Sequence, residues 1–161
     1  YTGEDTLSLH DALPIWKKFL WSIMFPKHPI NTYLFQSCTL PDIEIDQVAH
    51  GDVNRDVKTA GRVTIGNLIV EKLMTTAGSD TWLHDWLYSC QDHIVGGGLV
   101  PSQYWETAIV NELAEDGVSV LNTHVFEEVW PCKITGLDLD RMASENTIES
   151  IEFSVGTADK Y

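Results

Sequence analysis

One short segment has apolar residues at helical spacing, whereas the other regular segments alternate like strands. This contrast is the feature that most limits how the chain can fold. Between residues 79 and 94, where Ser79 or Asp80 can act as a cap, apolar side chains recur at helical spacing. Such a stripe must be buried against another element, and the other regular segments have the period of two that is typical of strands. We therefore expect a mainly β fold with one flanking helix. The stripe consists of Trp82, Leu83, Trp86, Leu87 and Cys90.

Three segments in the first half of the chain predict strands. Residues 18–25 are rich in aromatic and β-branched side chains, and we expect them to form a hairpin with residues 31–38. Residues 43–46 alternate apolar and acidic side chains, which predicts a strand with one buried face. Residues 62–74 predict a strand that is partly apolar on both faces because the helix covers it. The polar stretch between these last two strands predicts a long projecting hairpin or loop that carries contacts.

The second half of the chain predicts a further hairpin and two more strands. Residues 108–114 and 118–129 flank Glu115-Asp116-Gly117, which is a tight-turn signal. Residues 134–140 predict a strand, and residues 148–156 predict the last one. In these two strands the side chains expected inward are Leu137, Leu139, Ile151, Phe153 and Val155, and those expected on the solvent face include Asp138 and Asp140. The total is roughly eight strands around one helix.

The first fifteen residues are expected to be foreign to the domain. Residues 6–15 are word for word the translation of a common sequencing adapter, and residues 1–5 occupy the place of its sample index. Segments of this kind are excluded from fold reasoning. We therefore interpret 1–15 as a translation artefact that has replaced the native N-terminus, and 16–161 as a single domain of usual length.

The chain is strongly acidic. Its formal net charge is −14, and setting aside Glu4, Asp5 and Asp11 leaves −11. Tight binding of nucleic acid needs a basic footprint, so this charge argues against it, although an acidic surface lets nucleic acid slide past. No apolar run approaches the ~20 residues of a membrane span. The three cysteines lack metal or disulfide spacing and predict buried free thiols in a reducing cytoplasm; they are Cys38, Cys90 and Cys132.

No grouping of reactive side chains predicts catalysis, a metal site or a cofactor. Asp80 and His84 are one helical turn apart, but nothing supplies further ligands, and we expect His84 to face solvent. Cys90 and His93 on one helix are not a recognised pair of nucleophile and base. The glycines at 96–98 are followed by no Gly-Lys-Ser or Gly-Lys-Thr, so a phosphate loop is not indicated.

An ordered set of short segments carries a resemblance to a known family. Residues 35–41 read Phe-Gln-Ser-Cys-Thr-Leu-Pro, and residues 54–62 open with Asn-Arg and close with Gly-Arg. Residues 129–140 combine Trp-Pro with Leu-Asp-Leu-Asp, and Asn146 and the strand at 148–155 follow. With the predicted helix between them, these segments resemble the tail tube protein family of contractile-tailed bacteriophages over nearly the whole chain after residue 15. The resemblance implies a closing Trp-Pro turn, a Leu-x-Leu-Asp strand and a final strand.

The same resemblance implies how copies assemble. The expected fold is a small β-sandwich or partly closed barrel, six copies of which form a hexameric ring whose inner strands join across subunits. Rings then stack into a tube, and a hairpin over 47–62 reaches the neighbouring subunit or ring. A solvated loop is the alternative for that hairpin. The residues expected at the interface are Asn54, Arg55, Lys58 and Arg62, and those expected to pack the core are Trp82, Trp86, Trp130 and Phe153.

The function implied by the resemblance is structural. The chain would be a virion protein, made in the host bacterial cytoplasm, that forms the inner tail tube and lets duplex DNA pass without specific binding. Implied partners are further copies, the tail sheath, the tape-measure protein and the baseplate or tube-initiator protein. The same fold also serves baseplate tube initiators and the inner tubes of type VI secretion and other contractile injection systems. A different alternative is a monomeric β-sandwich that binds carbohydrate or peptide through Tyr104, Trp105 and Trp130.

Overall fold

The computed structural model describes residues 17–28, 35–51, 53–74 and 81–160. Within these ranges nine strands and two helices follow one another along the chain. The strands are β1 (Trp21–Met24), β2 (Phe35–Thr39), β3 (Ile43–Gly51), β4 (Asp56–Ile65), β5 (Leu68–Leu73), β6 (Glu106–Leu113), β7 (Val120–Ile134), β8 (Ile148–Ser154) and β9 (Thr157–Lys160). The helices are α1 (Trp82–Cys90) and the short α2 (Pro101–Tyr104). The expected mainly β fold with few helices is confirmed.

Seven of the strands form one antiparallel sheet, in the order β1-β6-β7-β8-β5-β2, with β9 added to β7. Although β1 and β2 lie at opposite ends of this sheet, side chains of both, including Trp21 and Cys38, line one cavity of about 600 Å³. Trp21 and Cys38 also pack against the same hydrophobic core. The sheet is therefore curled so that its two edges approach each other, and the described residues show no strand pairing between those edges.

The long strand β7 joins the two halves of the sheet. β6 and β9 pair with its first part, and β8 pairs with its last part. The partners change near a bulge at which Glu128 has a φ of 55°, a left-handed conformation that non-glycine residues rarely adopt. A Cβ on Gly156 would lie only 2.7 Å from the Cβ of Glu128, so this position requires glycine.

An aromatic cluster forms the centre of the core. The ring of Phe25, just beyond β1, lies between 5.2 and 6.1 Å from the rings of Phe35, Trp82, Trp86 and Phe153. Tilted and edge-on contacts of this kind stabilise a core beyond the area they bury. The aliphatic part of the core comes from alternating residues of β5 to β8, namely Leu68, Val70, Ala108, Val110, Val129 and Ile151.

Helix α1 covers this core with the predicted stripe. Leu83 and Trp86 are buried, and the other stripe residues are half-buried. The Trp86 Nε1–H donates a hydrogen bond to the carbonyl oxygen of Tyr104 at 2.8 Å, which ties α1 to α2. The helix is shorter than predicted, because the backbone is already extended at Gln91. The predicted caps at 79 and 80 lie outside the described residues.

The predicted hairpin between the first two strands is wrong. β1 pairs with β6, and β2 pairs with β5. The register places Ile23 opposite Val110, so both enter the core together. Alternation along a strand identifies the strand itself, but the choice of partner depends on side chains that are distant in the sequence.

The predicted strand at 134–140 is also wrong, because β7 continues through the Trp-Pro pair to Ile134. Trp130 and Pro131 are inside a strand and not in a turn. Pro131 lies beside a register irregularity, where a residue without an N–H is tolerated. Beyond the strand, Leu137 and Leu139 are exposed instead of inward, at 42% and 79%.

The predicted hairpin around residues 115–117 is confirmed as the antiparallel pair β6–β7. Gly117 adopts a φ of 72°. The Ser119 hydroxyl donates a hydrogen bond to Asp116, and the amides of Val118 and Ser119 do so at 2.9 Å. These hydrogen bonds lower the pKa of Asp116, which is fully exposed. The inward residues predicted for the last strand are buried as expected, namely Ile151, Phe153 and Val155.

Candidate assembly surfaces

The described residues hold no arrangement that points to catalysis or metal binding. No group of three or more His, Cys, Asp or Glu side chains among them could hold a metal ion, and Asp80 lies outside the described residues. The three cysteines are free and half-buried, less buried than predicted. Burial raises the pKa of the Cys38 thiol to about 12, so this group is a neutral thiol and not a nucleophile.

A buried ion pair connects two central strands and helix α1. Lys72 of β5 and Glu149 of β8 are opposite each other, with Nζ 3.9 Å from Oε2, and both side chains are buried. The Glu149 Oε1 lies 2.8 Å from Nε2 of His84, which is therefore not the solvent-facing residue predicted from sequence. Sequence reasoning missed this cluster. The available signal was that Lys72 and Glu149 occupy inward positions of alternating strands.

β3 and β4 form a separate two-stranded hairpin that projects from the body of the protein. The strands pair antiparallel with each other and with no other described strand. All of β3 is exposed, and so is β4 except at Gly61 and Ile65. The predicted projecting hairpin is thus confirmed, but it is longer than 47–62, since the strands span Ile43–Gly51 and Asp56–Ile65. A hairpin of two strands alone is at best marginally stable in water.

One face of the hairpin base is apolar. Ile43 lies opposite Ile65, and Ile45 lies opposite Val63. Ile43 is 60% exposed, and Ile45 and Val63 are each 53% exposed. We call these four residues the apolar ladder, because directly opposed residues share a face. Ile65 packs against the hydrophobic core at the base of the hairpin. Ile43, Ile45 and Val63 stay mostly exposed, so the buried face predicted for residues 43–46 is wrong for the single chain.

The middle of the hairpin contains a bulge that depends on a glycine. The register shifts between Ile45 and Gln47. A Cβ on Gly61 would lie 2.9 Å from Cγ2 of Val48 and 3.0 Å from the carbonyl oxygen of Asp46. A larger residue at 61 would force the two strands apart at this point.

The four predicted interface residues all lie on this hairpin, and all are exposed. Asn54 and Arg55 are at the tip, between β3 and β4, while Lys58 and Arg62 are on β4. None of the three cations forms an ion pair within the described part of the chain. Nine residues of β3, at about 3.3 Å per residue, carry the tip roughly 30 Å from the base. The prediction did not include the apolar ladder, although the alternation at 43–46 was its sequence signal.

The helices of the described ranges are all too short or too polar to cross a membrane.

Comparison with known proteins gives one family and several similar folds. The family model described as T4-like virus tail tube protein gp19 matches residues 17–157. Among solved structures, the same fold recurs in a chain of the sheath-tube complex of the PVC extracellular contractile injection system, with 18% identity, 96% of each chain covered and a TM-score of 0.77.

Two further structures extend this likeness. The anti-feeding prophage cap has 14% identity, 92% of each chain covered and a TM-score of 0.75. A type six secretion system protein has 12% identity, covers 87% of this chain and 81% of its own, and has a TM-score of 0.55. Among curated proteins, no sequence matches. Because the family model spans most of the chain, and the predicted resemblance agrees with it, this protein belongs to the T4-like virus tail tube family.

Proposed function

We propose that this chain is the subunit of the inner tube of a contractile phage tail, that six copies close into a ring, and that rings stack. The observation that carries the proposal is the β3–β4 hairpin. Three residues of its apolar ladder, Ile43, Ile45 and Val63, are more than half exposed, and its cations lack ion pairs in the described part of the chain. Apolar contact supplies most of the free energy of association, and complementary charge fixes the register of the partners. Family membership supports the same role.

The magnitude of the apolar contribution is appropriate for assembly. Full burial of one Ile or Val side chain contributes ~1.5–3 kcal/mol, and Ile43, Ile45 and Val63 each still expose more than half of their surface. Covering them would contribute about 2–5 kcal/mol per interface before ordering costs. This is enough to favour contact between copies when several such interfaces act together around a ring.

The open edges of the sheet support cyclic closure. β1 and β2 each have one side without a strand neighbour among the described residues. Exposed edges invite pairing with other chains, and closure into a ring removes them. In such a ring each copy presents the hairpin to a different surface of the next copy.

The proposed cargo is linear duplex DNA, which leaves the capsid through the tube. The net charge of −11 that remains without Glu4, Asp5 and Asp11 supports a lumen that repels phosphate and so avoids adhesion by counterion release. The tube would be made in the host bacterial cytoplasm and act in the virion tail, surrounded by the sheath and joined to tape-measure and baseplate proteins. It requires no cofactor and no chemical step.

Size-exclusion chromatography with negative-stain microscopy tests the assembly. We expect rings or tubes of uniform width, and an exclusively monomeric chain would contradict the proposal. A monomer would instead favour a ligand-binding module. The aromatic residues of that alternative do not form a free platform, because Tyr104 packs edge-on against Trp130 at 6.0 Å.

A separate assay tests the cargo. Assembled tubes mixed with short duplex DNA at low salt should not retain it, and salt-dependent retention would contradict the acidic lumen. The runner-up function is the inner tube of a contractile injection system, which the fold of the PVC structure favours. Neighbouring genes for terminase and tape-measure proteins would assign the chain to a phage.

A further inference from the structure

A small cavity beside α1 combines aromatic faces with acidic groups. It has a volume of about 290 Å³ and is lined by α1, α2, the start of β6 and the residues after β1. We call it the aromatic pocket, and its main groups are His28, Trp82, Asp85, Trp86, Tyr104 and Glu106. Its volume is just below the range of ligand cavities, about 300–1,000 Å³, and suits one side chain rather than a larger molecule.

The two indole rings of the pocket are nearly parallel, and the imidazole of His28 is tilted against them. The rings of Trp82 and Trp86 stack at 6.3 Å with an interplanar angle of 18°. The imidazole of His28 lies 4.7 Å from the Trp82 ring at 34°. A cation placed over the face of an indole is attracted by its quadrupole, and a planar guanidinium stacks there best.

The acidic groups of the pocket include a buried carboxylate oxygen that lacks a hydrogen-bond partner among the described residues. Glu106 is only 9% exposed, and its Oε1 lies 3.3 Å from His28 Nε2 and 3.9 Å from Lys27 Nζ. Its Oε2 is buried and has no hydrogen-bond partner among the described residues. Asp85 adds a second carboxylate at the exposed rim. The two carboxylates of the pocket thus have one paired lysine between them, Lys27, and one buried carboxylate oxygen lacks a donor within the described part of the chain.

We propose that the aromatic pocket of one copy receives the guanidinium of Arg55 from the hairpin of a second copy. Arg55 is exposed at the hairpin tip and has no ion pair in its own described chain. Its five N–H donors can satisfy Glu106 Oε2 and Asp85 while its plane stacks on the indoles. The inference rests on the proposed tube assembly and specifies which surface of the neighbour accepts the hairpin.

Charge reversal in both partners tests the contact. Asp85→Arg and Arg55→Asp each place like charges together, so the pelleted, assembled fraction should fall about tenfold for each single variant. The double variant restores an opposite-charge pair, and we expect assembly to return to within about threefold of wild type. Asp85 and Arg55 are both exposed, so neither change disturbs the core.

Matched controls come from exposed charges elsewhere in the chain. Glu145→Arg and Arg141→Asp reverse the same charges in the segment after β7 and should leave assembly unchanged. Arg55→Lys keeps the charge but removes the planar stack, so we expect a smaller loss than for Arg55→Asp. Tryptophan emission of the wild type should shift on assembly because the half-buried Trp82 becomes covered, and this shift should be absent in Arg55→Asp.

The outcomes separate this inference from the proposed function. If wild type forms no rings or tubes, the proposed function fails. If wild type assembles and the two single variants assemble equally well, only the pocket inference is overturned. It is likewise overturned if the double variant is no better than the single ones, or if Asp85→Arg blocks only the attachment of a different tail protein.

Discussion

The strands of the curled sheet and those of the β3–β4 hairpin show the same alternation of apolar and polar residues. They differ in whether the apolar residues are covered within the single chain. In the sheet, apolar residues at inward positions are buried, as for Ile151 and Phe153 of β8. In the hairpin, Ile43 and Ile45 alternate just as regularly, yet both faces are open. A period of two therefore predicts a strand with a face to bury, but it does not say which molecule buries that face.

The prediction with the largest expected effect concerns the core of the curled sheet and its helix, where a substitution should lower the free energy of unfolding. Trp86→Ala removes the indole at the centre of the aromatic cluster, and we expect a loss of about 3–5 kcal/mol in the free energy of unfolding. Chemical denaturation followed by far-UV circular dichroism measures this loss. Tyr88→Ala on the exposed side of the same helix is the matched control and should change stability by less than about 1 kcal/mol. Equal effects of the two changes would contradict the assigned core.

The second prediction concerns the hairpin, where a substitution should impair assembly and leave the stability of the monomer nearly unchanged. Ile45→Asn polarises the apolar ladder, which is exposed in the single chain, so the free energy of unfolding of the monomer should change by less than about 1 kcal/mol. Assembly should fall by about tenfold, since about 0.8–1.6 kcal/mol of apolar burial is lost at each interface and several interfaces act together. Sedimentation of assembled material measures this. Leu139→Asn is the control, because Leu139 is an exposed aliphatic residue outside the hairpin. If it impaired assembly equally, the ladder would have no special role.

A third prediction tests the bulge within the hairpin. Gly61→Ala should destabilise the hairpin by about 1–2 kcal/mol through overpacking against Val48 and Asp46. Hydrogen exchange should then show faster exchange in β3 and β4 and no change in β7 or β8. Gly51→Ala is the matched control, because a Cβ there meets nothing within 4 Å. Faster exchange throughout the sheet would show that the hairpin is not an independent unit.

The last prediction concerns the edge strand β2, and its effect appears only at alkaline pH. Burial raises the pKa of Cys38 from 9.0 to about 12. The folded state therefore holds this proton more tightly than the unfolded state, so the associated stability is present below pH 9 and is lost between pH 9 and about pH 12. Denaturation midpoints measured across this pH range should fall more for wild type than for Cys38→Ser. Parallel pH profiles would mean that the thiol is open to water.

The sequence predicted those parts of the fold that depend on local pattern. The stripe of α1, the β6–β7 hairpin and the inward residues of β8 were found because nearby residues alone determine them. The pairing of β1 with β6 was not found, because it depends on Ile23 meeting Val110 far along the chain. The end of β7 was misassigned because the family resemblance implied a turn at Trp130 and Pro131, whereas here a register irregularity accommodates the proline within the strand.

The candidate assembly surfaces were also predicted only in part. The cations of the hairpin could be identified because they interrupt an acidic, β-rich sequence. The acidic residue Glu106 could not, since its role depends on Trp82 and His28 approaching it from two other parts of the chain. Whether these residues lie at an interface remains a prediction for the charge-reversal experiment.

The shared strand β7 has a mechanical consequence. Its fifteen residues are one continuous backbone that carries hydrogen bonds to β6 and β9 on one stretch and to β8 on the next. Load that enters through either half of the sheet must therefore pass along the same chain segment, and the subunit has no internal seam at which one half can peel away. A conduit made of such subunits is expected to yield between copies before any copy ruptures.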